Sequence, residues 1–113
     1  MSKKVLVLGA SGGMGYSIVK ELLSRGFMVT AFARNREKLG NLFGEDENVT
    51  IFSGDLFRLE DLDKAAQGVD IIYHAANIPY AEWKERLPLL MSNILYTAKK
   101  HAAKLAIVDN IYA

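Results

Sequence analysis

Gly9-Ala10-Ser11-Gly12-Gly13-Met14-Gly15 holds the residue types and the spacing best suited to gripping a phosphate. The run follows the apolar Val5-Leu6-Val7-Leu8 and precedes Ile18, Val19, Leu22 and Leu23 at helical spacing. Strand, glycine loop and helix in that order present unpaired backbone N–H groups and the positive end of a helix to an anion. Gly9 permits the tight turn, Gly12 and Gly13 let an anion approach the backbone, Ser11 adds a hydroxyl donor, and Gly15 lets the helix pack close. Two further groups invite chemistry. Ala33-Arg34-Asn35-Arg36 sets two guanidiniums and no carboxylate behind a second apolar run, and His74 ends another. His101, the other histidine, falls on a separate element, so His74 reads as a packed strand residue rather than a base or a metal ligand.

These residues need a scaffold, and the hydrophobic pattern supplies alternating strands and helices. Val5–Leu8 is continuous and β-prone, as in a strand covered on both faces, and the helix after it closes at Gly26. Phe27–Phe32 is a second strand and Arg36–Phe43 a short helix. Gly44 and the polar Glu45–Asn48 make a solvated turn before the third strand, Val49–Phe52. Leu59–Gln67 carries Leu59, Leu62, Ala65 and Ala66 on one face and is closed by Gly68. Val69–His74 is the fourth strand and Leu105–Val108 the fifth. Between them, Glu82–Ala103 is a long helix with Leu87, Leu90, Met91, Ile94, Leu95 and Ala98 facing inward. Pro88 either kinks that helix or marks its beginning. Strands joined through helices predict right-handed crossovers and a doubly wound parallel sheet of order 3-2-1-4-5. The expectation is therefore one α/β domain of Rossmann type over residues 1–113, with its switch point between the first and fourth strands.

Composition narrows the function classes. The chain has 113 residues, half of them hydrophobic, and a net charge of +1. That balance gives no electrostatic case for nucleic acid or an anionic membrane as partner. The absence of cysteine removes disulfides and thiolate chemistry and fits a reducing cytosol, so a cytoplasmic protein is expected. Lys3 and Lys4 precede an apolar run that stops at Gly9, too short for a signal peptide. No stretch approaches the length of a membrane span.

Gly9 to Gly15, Asp55-Leu56, His74-Ala75-Ala76-Asn77 and Asn93, in this order and on these elements, resemble the N-terminal half of a short-chain dehydrogenase/reductase. More narrowly, the chain resembles the extended or atypical branch of NAD(P)-dependent epimerases, dehydratases and related reductases. The likeness spans essentially the whole chain, although Gly-x-x-Gly-x-x-Gly departs from the Gly-x-Gly-x-x-Gly of many dehydrogenases. It implies a dinucleotide whose pyrophosphate lies on Gly9, Ser11, Gly12, Gly13 and Met14. NAD-using relatives hold the adenine ribose with an acidic residue at the end of the second strand. Here Arg34 stands there with Arg36 behind it, and a guanidinium grips a 2′-phosphate where a carboxylate would repel it. NADP is thus expected over NAD. The resemblance also implies that Asp55 and Leu56 flank the adenine, the carboxylate accepting from the exocyclic amine. Asp55 equally suits an N-cap of the following helix, and the two roles are compatible. Ala75, Ala76 and Asn77 are implied to lie along the nicotinamide-side ribose and diphosphate. Asn93 matches the helix asparagine that braces the active-site backbone in the family, or is an ordinary polar helix residue.

The family's catalytic pair is Tyr-x-x-x-Lys, in which the lysine lowers the tyrosine pKa for proton transfer. Tyr16/Lys20, Tyr80/Lys84 and Tyr96/Lys100 share that spacing, but all precede the fifth strand, and in relatives the pair follows it. Asp109-Asn110-Ile111-Tyr112 supplies no Ser or Thr beyond that strand. No catalytic residue and no metal ligand is therefore assigned, and Tyr80 and Trp83 read as loop packing. The resemblance implies the NADP(H)-binding half of an enzyme that exchanges hydride with a nucleotide sugar or other carbonyl substrate, truncated after its fifth strand and without turnover alone. A second expectation is an NADP-sensing regulator of the atypical branch, which binds the dinucleotide and a protein partner. Ending at Ala113 would leave the Leu105–Val108 edge and the neighbouring helix uncovered, so a homo-oligomer is expected.

Overall fold

A computed structural model describes residues 3–76 and 85–107. Along the chain run β1 (Lys4–Leu8), α1 (Gly13–Ser24), β2 (Met28–Ala33), α2 (Arg36–Phe43) and β3 (Val49–Ser53). α3 (Leu59–Ala65), β4 (Ile71–His74), α4 (Leu87–Lys100) and β5 (Lys104–Ile107) follow. The sheet order is β3-β2-β1-β4-β5 with every pairing parallel, the doubly wound α/β topology that the sequence pattern implies. β1 and β4 are neighbours, so the crevice between their outgoing connections is the switch point.

Alternation along the strands builds two cores. Val5, Val7, Val29 and Ala31 meet Val19 and Leu22 of α1 and Leu39 and Phe43 of α2. Leu6, Leu8, Phe32 and Ile72 meet Leu62 of α3 and Leu90, Ile94 and Ala98 of α4. Because both faces are covered, β1 is apolar without interruption from Val5 to Leu8. Register aligns Phe52, Phe32, Leu8, His74 and Ile107 in one row across the carboxyl end of the sheet.

The largest departure from the sequence pattern lies in α4. It occupies Leu87–Lys100, not Glu82–Ala103, and Pro88 sits in its first turn, where the missing N–H costs nothing. Residues 82–84 lie outside the described chain. Leu95, expected inside, is 49% exposed, whereas Asn93 and Thr97 are buried in its place. Both polar groups are satisfied: Asn93 Nδ2 donates to the Phe57 carbonyl and Thr97 Oγ1 to the Asn93 carbonyl. The helix stops at Lys100 because Ala102 adopts φ +52° and the chain reverses, Ala103 N–H reaching back to Ala98 O and Ala102 N–H to Lys99 O. Gly26 closes α1 in the same way, with φ +86°. Smaller corrections follow the same logic. α3 ends at Ala65 rather than Gln67, and Leu59 at its start is 37% exposed instead of packed. The second, third and fourth strands shift by one or two residues, and β5 begins at Lys104, with Val108 outside the described residues. Among the described residues no helix is long and apolar enough to cross a membrane.

Candidate functional site

The glycine loop leaves β1 and doubles back over the sheet. Gly9 and Ala10 N–H both donate to Phe32 O, and Gly9 takes φ +78°, which a side chain rarely tolerates. A Cβ at Gly9 would lie 2.5 Å from Ala76 Cα, so the loop and the end of β4 touch backbone to backbone. This contact gives Ala75 and Ala76 their place at the switch point. A Cβ at Gly15 would land on the Gly9 carbonyl, so the absence of a side chain there is what lets α1 start so close to the loop. Gly12 and Gly13 differ. A Cβ at Gly12 would meet nothing nearer than Gly9 O at 3.6 Å, and one at Gly13 nothing within 4 Å. Their bareness serves no packing purpose among the described residues.

α1 begins with no side-chain cap and no acidic residue in its first turn. Its first intrahelical bond runs from Tyr16 N–H to Gly12 O, so the N–H groups of Gly13 and Met14 are left without an intrahelical acceptor. Uncapped donors, the positive helix end and the open space over Gly12 and Gly13 make an anion cradle. Ser11 is half-buried on its rim.

Arg34 and Arg36 are exposed just past β2, and neither makes an ion pair with a described residue. The backbone around them is tied down: Ser53 Oγ donates to Arg34 O, and Asn35 Oδ1 caps α2 through Lys38 N–H. Asp55 does not cap α3, whose N-cap is Arg58 without a side-chain bond. Instead its Oδ1 accepts from Phe57 N–H at 2.9 Å in a local turn, and its own N–H donates to Asp61 Oδ2 at 2.9 Å. Leu56 is half-buried between these ties. Asp61 escaped the sequence reading, although a carboxylate in the first turn of α3 was a signal for it.

His74 is buried in the apolar row between Leu8 and Ile107, and its Nδ1 has no hydrogen-bond partner among the described residues. Burial pushes its pKa below the ordinary 6.5. Asn77, Tyr80, Trp83 and Lys84 lie outside the described residues. In both remaining Tyr-x-x-x-Lys pairs the lysine is ion-paired to an aspartate, although Lys20 Nζ also lies 5.6 Å from the centroid of the Tyr16 ring. Tyr16 stacks on Phe43 with centroids 5.6 Å apart, and Lys20 pairs with Asp46 at 3.2 Å. Lys100 lies 3.0 Å from the Asp63 carboxylate, whose hydrogen bond holds the ammonium above its ordinary pKa. Lys100 and His101 in turn hold Asp63 below its own. Among the described residues no cluster of metal-ligating side chains occurs.

Residues 9–111 match a family model described as NAD(P)H-binding. Over 108 residues the chain is 35% identical to 2-alkyl-3-oxoalkanoate reductase of Shewanella oneidensis, covering 92% of this chain and 26% of that protein. Over 85 residues it is 35% identical to the decarboxylating sterol-4-alpha-carboxylate 3-dehydrogenase of Mus musculus, covering 74% and 22%. A Rossmann-fold NAD(P)-binding family protein from Shigella flexneri superimposes with TM-score 0.76 at 27% identity, covering 93% of this chain and 50% of that one. The chain thus spans about a quarter of the length of the curated relatives it matches.

Proposed function

Because the chain belongs to the NAD(P)H-binding family, within the short-chain dehydrogenase/reductase superfamily, we propose that it binds NADP(H) across the carboxyl ends of β1, β2 and β4. The uncapped start of α1 beside the bare Gly12 and Gly13 carries this reading, since none of the described residues uses that space. The pyrophosphate would rest on Gly9, Ser11, Gly12, Gly13 and Met14. Arg34, supported by Arg36, would take the 2′-phosphate, and Asp55 and Leu56 the adenine. Ala75, Ala76 and Asn77 would run along the nicotinamide-side ribose. When bound, the nicotinamide supplies the hydride chemistry. This chain's residues bind and orient, and no described residue is given a proton-transfer role.

The whole protein would then exchange hydride with a carbonyl or carbinol carbon. The names of the two relatives, a 3-oxoalkanoate reductase and a sterol 3-dehydrogenase, favour a ketone or secondary alcohol over a nucleotide sugar. Calorimetry tests the cofactor. A bidentate charged contact is worth about 1.5–3 kcal/mol, so NADPH should bind about tenfold to a hundredfold tighter than NADH, and Arg34→Ala should erase the difference. Equal affinities in the unmodified chain would refute the NADP assignment.

Self-association belongs to the same reading. Leu89, Leu95 and Tyr96 on α4 and Ile107 on β5 are each about half exposed. Sedimentation of the chain at micromolar concentration should show a dimer or larger species that Leu95→Glu disperses. A monomer at every concentration sinks the idea.

A further inference from the structure

The loop between β3 and α3 is held from far along the chain. Asn93 Nδ2 donates to Phe57 O at 3.2 Å, and the Arg86 guanidinium lies over the Phe57 ring, 3.8 Å from its centroid. Asn93 is itself anchored, since it is 8% exposed and Thr97 Oγ1 donates to its carbonyl at 2.7 Å. On the other flank Asp61 Oδ2 takes the Asp55 N–H. Phe57 N–H in turn occupies Asp55 Oδ1, so a displacement of Phe57 moves the Asp55 carboxylate directly.

An amide as buried as that of Asn93 costs stability unless it is bonded, and an apolar side chain would fill that position of α4 at less cost. What Asn93 adds is a fixed Phe57 carbonyl. We propose that Asn93 and Arg86 are positioning residues for adenine recognition: they clamp Phe57 to α4, and through it hold Asp55 ready to accept from the exocyclic amine. The inference rests on the dinucleotide reading above. A carboxylate already ordered loses less entropy on binding than one on a loose loop. Asp55 Oδ2 has no hydrogen-bond partner among the described residues, so the clamp leaves an acceptor vacant.

The test compares NADPH with reduced nicotinamide hypoxanthine dinucleotide phosphate, in which a carbonyl replaces the exocyclic amine. The chain should prefer NADPH by about tenfold, the amine's bond being lost and two acceptors opposed. Asn93→Leu should shrink that preference by about fivefold. Arg86→Lys keeps the charge and loses the planar stack, and should shrink it by about twofold. General loosening of the fold weakens both ligands equally and leaves the ratio alone, so an unchanged ratio in the variants overturns the proposal. So does the lack of any preference in the unmodified chain. If Asn93→Leu fails to fold, the ratio in the exposed-site variant Arg86→Lys decides. A chain that binds neither dinucleotide overturns the cofactor reading itself, and the proposal with it.

Discussion

The glycine loop after β1 and the loop after β3 line the same edge of the sheet, yet the first is shaped by missing side chains and the second, past Gly54, by side chains from distant elements. Gly9 and Gly15 exist because backbone presses on backbone, against Ala76 and against Gly9 itself. The loop holding Asp55 has one crowded position, Gly54, where a Cβ would lie 2.8 Å from the Phe32 ring, and takes the rest of its form from Asp61, Arg86 and Asn93. Gly9 and Gly15 leave no room for a Cβ. The second loop, Gly54 apart, can be tuned in small steps by substitutions that touch no ligand.

The comparison can be broken at its strongest point, the two kinds of glycine in one loop. Gly15→Val forces a branched side chain onto the Gly9 carbonyl, 2.8 Å from Gly9 C and 2.9 Å from Ala10 Cα, where no flexible group can yield. It should cost about 3 kcal/mol of stability. A Cβ at Gly13 meets nothing within 4 Å among the described residues, so the melting free energy of Gly13→Val should stay within about 1 kcal/mol of the parent. Its dinucleotide affinity should nevertheless fall about tenfold or more, because the new side chain stands where the pyrophosphate approaches. Thermal melts paired with calorimetry separate the two. If Gly13→Val unfolds the chain and Gly15→Val spares it, the division of labour is wrong.

What could be read in advance follows the same line. The strand order and the phosphate loop were legible because both depend on local pattern: an unbroken apolar β1, a glycine run, and Gly26 where the backbone needs φ +86°. α4 was misread at both ends and on its face. Apolar periodicity assigned Leu95 inward, but Asn93, bonded to the Phe57 carbonyl, and Thr97, bonded back within the helix, are the residues buried. Asn93 finds its acceptor 36 residues away, and no window of sequence contains both. The end of α4 was hidden because Ala102 performs the reversal that glycine performs at Gly26. Ala102 is exposed and left-handed at φ +52°. Ala102→Gly should therefore stabilise the chain by about 1 kcal/mol in urea unfolding. A neutral or destabilising result would mean that the reversal at Ala102 carries no strain.

The smallest expected effect concerns His74, which lies on the α3–α4 face of the sheet in the row between Leu8 and Ile107. Among the described residues no partner meets its buried Nδ1, and burial holds the imidazole pKa below the ordinary 6.5. A depressed folded-state pKa means that the unfolded chain takes up the proton first. Well above pH 6.5 both states are neutral and His74 contributes no pH dependence. As pH falls through that value the unfolded state gains protons that the folded state refuses, and stability drops until the folded imidazole also titrates. Urea unfolding measured from about pH 8 to about pH 5 should show this decline in the parent chain. In His74→Leu the part due to this residue should vanish, leaving only the slope from other groups such as Asp63, whose bonded carboxylate loses its contribution at still lower pH. A parent and variant with superimposable profiles would mean that His74 is wetter, or better partnered, than its place between Leu8 and Ile107 implies.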